Sequence, residues 1–141
     1  NAPTGGNALT LNGTFEEKQV SFSGSQITIQ NRGTYNVQFS TVFNSTNANA
    51  HTIDIWLRVN GNDIAATSGV AQVAPKHGSS PGATLVSWNY VYQFAANDYI
   101  QLVWTTDTGE SVIATFPSSG TAPVHPASPG VILTATFVSA A

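Results

Sequence analysis

TYNVQFSTVF, residues 34–43, decides how this chain is read. Tyr35, Val37, Phe39 and Phe43 take one set of alternate positions, and Asn36, Gln38 and Ser40 take the other. Side chains along a β-strand point to opposite faces with a period of two, so the stretch is a strand with one dry face and one wet face. The same alternation recurs on both sides of it. TIDIWLRV (52–59) sets Ile53, Ile55, Leu57 and Val59 against Thr52, Asp54, Trp56 and Arg58. TLVSWNYVYQF (84–94) sets Val86, Trp88, Tyr90, Tyr92 and Phe94 against Leu85, Ser87, Asn89 and Val91. Shorter runs of the same kind occupy 9–11, 20–22, 27–29, 99–106, 111–116 and 131–138, and no segment has a convincing run at helical spacing.

Turn chemistry sets the connections. Asn60-Gly61 is the strongest short-range hairpin signal and predicts 62–67 as the returning strand. Residues 68–83 are rich in Gly, Ser and Pro and read as a long loop with at most a short strand at 70–73. Four prolines in 117–130 exclude a central strand there. Eight or so strands joined by short hairpins and a few long crossovers predict an all-β, two-sheet antiparallel sandwich with Greek-key or jelly-roll wiring. One domain is expected over 9–141, preceded by a flexible arm, NAPTGGNA, at 1–8.

Composition narrows the function. Charged residues make up 8% of the chain, against about 25% in an average soluble domain. Their place is taken by 17 Thr, 14 Ser, 12 Asn and 12 Gly, which implies a surface of hydroxyls and amides. Lys18, Arg32, Arg58 and Lys76 are scattered, so the basic patch that nucleic-acid binding requires is missing. No apolar run approaches the roughly 20 residues of a membrane-spanning helix. Neither nucleic acid nor membrane is expected as a partner.

The residues that carry chemistry are few. Glu16 and Glu17 are adjacent, so on a strand they face opposite ways and cannot act as a pair. His51, His77 and His125 are read in three separate loops, none with a second ligand at metal-binding spacing. Asp63, Asp98, Asp107 and Glu110 fall at turn tips, where turn chemistry explains them. No nucleophile motif or phosphate-cradling loop is present. The expectation is a binding protein, not an enzyme, with no metal or cofactor.

Candidate interface residues follow from the strand faces. Asp54, Trp56 and Arg58 share a face, and four residues of strand separate the two charges by about 13 Å. Each charge must therefore meet a partner on a neighbouring strand or subunit. In a sandwich only one face of each sheet meets the core, so aromatic residues left outside form patches of the kind that mark interfaces. Tyr90, Tyr92, Tyr99 and Trp104 join Asp54, Trp56 and Arg58 as the candidate subunit interface.

Four segments, in order, resemble a known pattern: GTYNVQFSTVF (33–43), IDIWLRVNGNDI (53–64), LVSWNYVYQFAANDYIQLVW (85–104) and PGVILTATFV (129–138). They resemble the C1q/TNF-like jelly roll, and more narrowly its version in virion structural proteins and tail-fibre tips of phages of cyanobacteria and marine bacteria. The resemblance spans about residues 27–138 and is more specific for the fold than for the role. It implies a homotrimer and a place in the virion. Two roles follow from it. One is a capsid decoration (cement) protein on the capsid exterior, bound to the major capsid protein, with Asn1, Ala2, Pro3 and Thr4 as the capsid-contacting arm. The other is a receptor-binding tip that recognises a host surface glycan. The compact length, the polar arm and the lack of a fibre-forming repeat before residue 9 favour decoration.

Overall fold

The computed structural model describes residues 5–13 and 20–141. Among them the chain forms β1 (Asn7–Ala8), β2 (Val20–Ser23), β3 (Gln26–Ile29), β4 (Gly33–Ser45), β5 (His51–Val59), β6 (Asn62–Asp63), β7 (Gly69–Val73), β8 (Gly82–Phe94), β9 (Tyr99–Thr106), β10 (Ser111–Ile113) and β11 (Val131–Ser139). Every strand pair is antiparallel, and the strands divide into two sheets packed as a sandwich. The β9 sheet runs β2-β3-β9-β5, with β6 and β7 sharing the far side of β5 and β1 pairing with β9. The β4 sheet has β8 on one side of β4 and both β11 and β10 on the other.

The alternation read in 34–43, 52–59 and 84–94 sets which residues meet. Tyr35, Val37, Phe39 and Phe43 of β4 and Val86 and Phe94 of β8 face Ile53, Ile55, Leu57 and Val59 of β5 and Ile100, Leu102 and Trp104 of β9, all in one core. Each such side chain stabilises the fold by roughly 1.5–3 kcal/mol on burial. Tyr35 meets Phe94 and Phe137 edge-on, with centroids 6.0 and 5.4 Å away. The Asn60-Gly61 hairpin forms with φ of 51° and 81°, the left-handed pair that a two-residue turn requires.

Several expectations are corrected. The strand expected at 62–67 ends after Asp63, and β7 pairs with β5 from His51 to Ile55. The return strand is thus cut to two residues, a bend with Ala66 at φ 63° follows, and the short strand expected at 70–73 forms as β7. The strand expected at 111–116 stops at Ile113, where Ala114 N–H donates to Val42 O and the chain leaves the sheet. At the other end strand pairing begins earlier than residue 9. Asn7 and Ala8, read as arm, pair with Trp104 and Val103, and Leu9 N–H donates to Leu102 O while its side chain enters the core. His51 is not a loop residue: it opens β5 opposite Val73. Asn1–Thr4, Glu16 and Glu17 lie outside the described residues.

Candidate functional site

None of the strands β4, β8, β10 and β11 contains an Asp, Glu, Lys, Arg or His. The outward positions of this sheet make rows across the strands: Ser87–Ser40–Ile132, Asn89–Gln38–Thr134 and Val91–Asn36–Thr136. Asn89 Nδ2 donates to Asn36 Oδ1 at 3.0 Å, and a shallow depression of about 300 Å³ lies among Gln38, Ser40, Ser87, Asn89, Ile132 and Thr134. Leu85, Val91 and Ile132 stand out of this face with 67%, 65% and 51% of their surface exposed. Amides and hydroxyls both donate and accept hydrogen bonds, so the polar groups of this face carry both capacities without any charge.

The residues singled out from the sequence divide between two places. Asp54, Trp56, Arg58 and Tyr99 lie on the outer face of the β9 sheet, opposite in direction to its core residues. Arg58 Nε donates to Asp63 Oδ1 at 2.6 Å, so the neighbouring strand supplies the partner that the 13 Å argument required. The Arg58 guanidinium first, and the Trp56 indole second, hold the Asp63 carboxyl below the usual carboxylate range. Tyr90 and Tyr92 point between the sheets, half-buried. Tyr90 OH accepts from Trp88 Nε1 at 2.7 Å and its ring stacks on Phe39, while Tyr92 packs on Phe94. Trp104 is only 7% exposed and lies against Phe43, centroids 5.1 Å apart, where it serves the core.

Trp56 is covered from outside by the chain's own N-terminal segment. Gly6 sits so close over the Trp56 ring and Val103 that an added Cβ would overlap the indole. Val103 is fully buried although it faces outward, and Trp56 Nε1 is sealed from solvent. Residues 5–9 therefore act as a strap over part of the indole, which is half-buried. Gly6→Val is expected to lift this strap at a cost of about 1–2 kcal/mol, with a red-shifted tryptophan emission. Unchanged stability and emission would contradict the strap.

Sequence reading placed Leu85 and Val91 on the wet face of β8 but did not single them out, with Ile132, as exposed apolar residues of one sheet face. The signal was present, since each occupies a wet-face slot of its strand, but the pairing that aligns the three strands was not legible. Among the described residues no group of three His, Cys, Asp or Glu is placed to hold a metal ion. No family model matches the chain, and no curated protein matches it.

Proposed function

We propose that this chain is a C1q/TNF-like jelly-roll protein of a phage virion, a homotrimeric capsid decoration protein that binds and stabilises the major capsid shell from outside. The observation that carries the assembly part is the uncharged outer face of the β4 sheet with Leu85, Val91 and Ile132 exposed on it. Exposed aliphatic groups on a face without charge favour burial against a second surface of the same kind. Strand neighbours drawn from distant parts of the chain, β3-β9-β5-β7 in one sheet and β11-β4-β8 in the other, support jelly-roll wiring. The virion setting rests on the resemblance of residues 27–138. A protein that binds only the assembled shell stabilises that shell by mass action, and no catalysis is required.

The depression lined by Gln38, Ser40, Ser87, Asn89 and Thr134 favours a second reading, glycan recognition by a fibre tip. Mixing the purified protein with undecorated shells and, separately, with host cells separates the two. Sedimentation with shells alone supports decoration, and sedimentation with cells alone supports the tip. Assembly itself is tested by Val91→Arg, which places a charge on the face without touching the core. The variant is expected to sediment as a folded monomer with an unchanged thermal midpoint. An oligomer that persists in V91R would place the contact elsewhere.

A further inference from the structure

The two long edges of the β4 sheet have backbone groups to spare, and the hydrogen-bond phase of β4 says which. Along an antiparallel strand, successive residues aim their N–H and C=O groups at opposite neighbours. Val42 N–H donates to Gly130 O, and Val42 O accepts from Ala114 N–H, so Val42 faces the β10–β11 side of β4. Even residues of β4 therefore bond towards β11 and odd ones towards β8. Tyr35, Val37, Phe39 and Thr41 stand opposite Tyr92, Tyr90, Trp88 and Val86, so the even residues of β8 are the ones that β4 holds. Leu85, Ser87, Asn89 and Val91 aim their backbone groups away from β4, where no backbone group of the described residues pairs with them. On β11 the same phase turns Ile132, Thr134 and Thr136 towards β4 and aims Val131, Leu133 and Ala135 outward.

We propose that β8 of one copy pairs in parallel with β11 of the next, closing three β4 sheets into one nine-stranded barrel around the threefold axis. This rests on the homotrimer reading and specifies how the copies join. Copies in a ring of three meet head to tail, so each must present two different edges. β8 and β11 both run antiparallel to β4 and hence parallel to each other, the relation that a ring with strands along its axis requires. The phases match as well. Parallel neighbours at one level carry side chains on the same face, and only one of the two aims its backbone groups at the other. Along β8 the edge-facing groups belong to residues with side chains on the outer face; along β11 they belong to Val131, Leu133 and Ala135, which pack on the core. An antiparallel β8–β8 pair across a twofold axis would stop at two copies.

Neither edge is defended against such pairing. Open edges are ordinarily blunted by charge, proline or a bulge. β8 has no charged residue, no proline and no register shift against β4. β11 has no charged residue or proline, and its one shift lies at its far end, between Phe137 and Ser139. Closure also turns the outer face of the β4 sheet towards the axis. Leu85, Val91 and Ile132 leave water there, and no charge is buried with them because β4, β8, β10 and β11 carry none. β8, β4 and β11 from each copy bring the barrel close to the size, about eight strands, whose interior side chains just fill.

Residue-resolved amide hydrogen exchange of the full chain, with its mass read separately by sedimentation, tests the pairing. The amides of Leu85, Ser87, Asn89 and Val91 on β8, and of Leu133 and Ala135 on β11, are expected to exchange at least about 100-fold more slowly than an open edge allows. A trimer in which these amides exchange as fast as an exposed loop overturns the pairing and leaves the trimer reading standing. A single-chain mass overturns both. Ser87→Pro removes one edge-facing N–H and leaves the β4–β8 ladder intact, since proline is tolerated on the open side of an edge strand. S87P is expected to fold with an unchanged sheet spectrum and to need at least about tenfold more protein to assemble, whereas S87A, which keeps the N–H, should assemble like wild type. Equal assembly of the two variants overturns the pairing. If S87P does not fold, the exchange pattern of the unmodified chain decides alone.

Discussion

Tyr35→Ala is expected to destabilise the folded chain by about 3–5 kcal/mol. Tyr35 is fully buried in the middle of the three-stranded part of the β4 sheet, between β8 and β11. Its ring is held edge-on by Phe94 and Phe137, and its hydroxyl donates to Asn31 O at 2.8 Å at the start of the strand. Alanine would leave a cavity between rings that strands on both sides hold in place, so collapse around it is limited. Tyr35→Phe keeps the packing and removes only the hydrogen bond, with an expected loss of about 1 kcal/mol. Denaturant midpoints measured on the two variants separate the cavity from the hydrogen bond. A Y35A loss no larger than that of Y35F would contradict the packing described.

The second large effect is expected at Gly82. This glycine opens β8 and is buried where the β7–β8 loop folds back on the strand. A Cβ there would overlap the carbonyl oxygens of both Ala74 and Pro75. Backbone cannot rotate aside as a flexible side chain would, so the loop or the strand must shift. Gly82→Ala is expected to cost about 3 kcal/mol, near the top of the range for overpacking. Gly109→Ala, which meets nothing within 4 Å, is the matched control and should be close to neutral. Equal thermal midpoints for the two alanine variants would contradict the close approach.

The sheets were legible in the sequence because burial on one face imposes a period of two on every long strand. β4, β5, β8 and β9 carry that period over eight or more residues, and the alternate sets read in β4, β5 and β8 are the ones that meet the core. Short elements lack that signal. The expected return strand 62–67 is reduced to β6 because Ala66 turns the chain, and nothing in 62–67 marks alanine for a positive φ. β1 was hidden in a small-residue run, where Gly6 looks like flexibility and is instead a space requirement over Trp56.

The candidate site was less legible for a related reason. Aromatic residues attract attention as interface anchors, yet Tyr90, Tyr92 and Trp104 have their inward slots in common with the core. The exposed aliphatic residues come from two strands, Leu85 and Val91 from β8 and Ile132 from β11, and the sheet register brings them onto one face. Register depends on tertiary pairing, which local alternation leaves open. His51, Asp107 and Glu110 are similarly distant in sequence and meet only because β5 starts beside the end of β9.

Sedimentation equilibrium of the unmodified chain at micromolar concentration is the most direct test of the assembly claim. A mass close to three times the 14.7 kDa of one chain is predicted. A single-chain mass that persists as the concentration is raised would contradict it and leave the β4 face without the partner proposed for it.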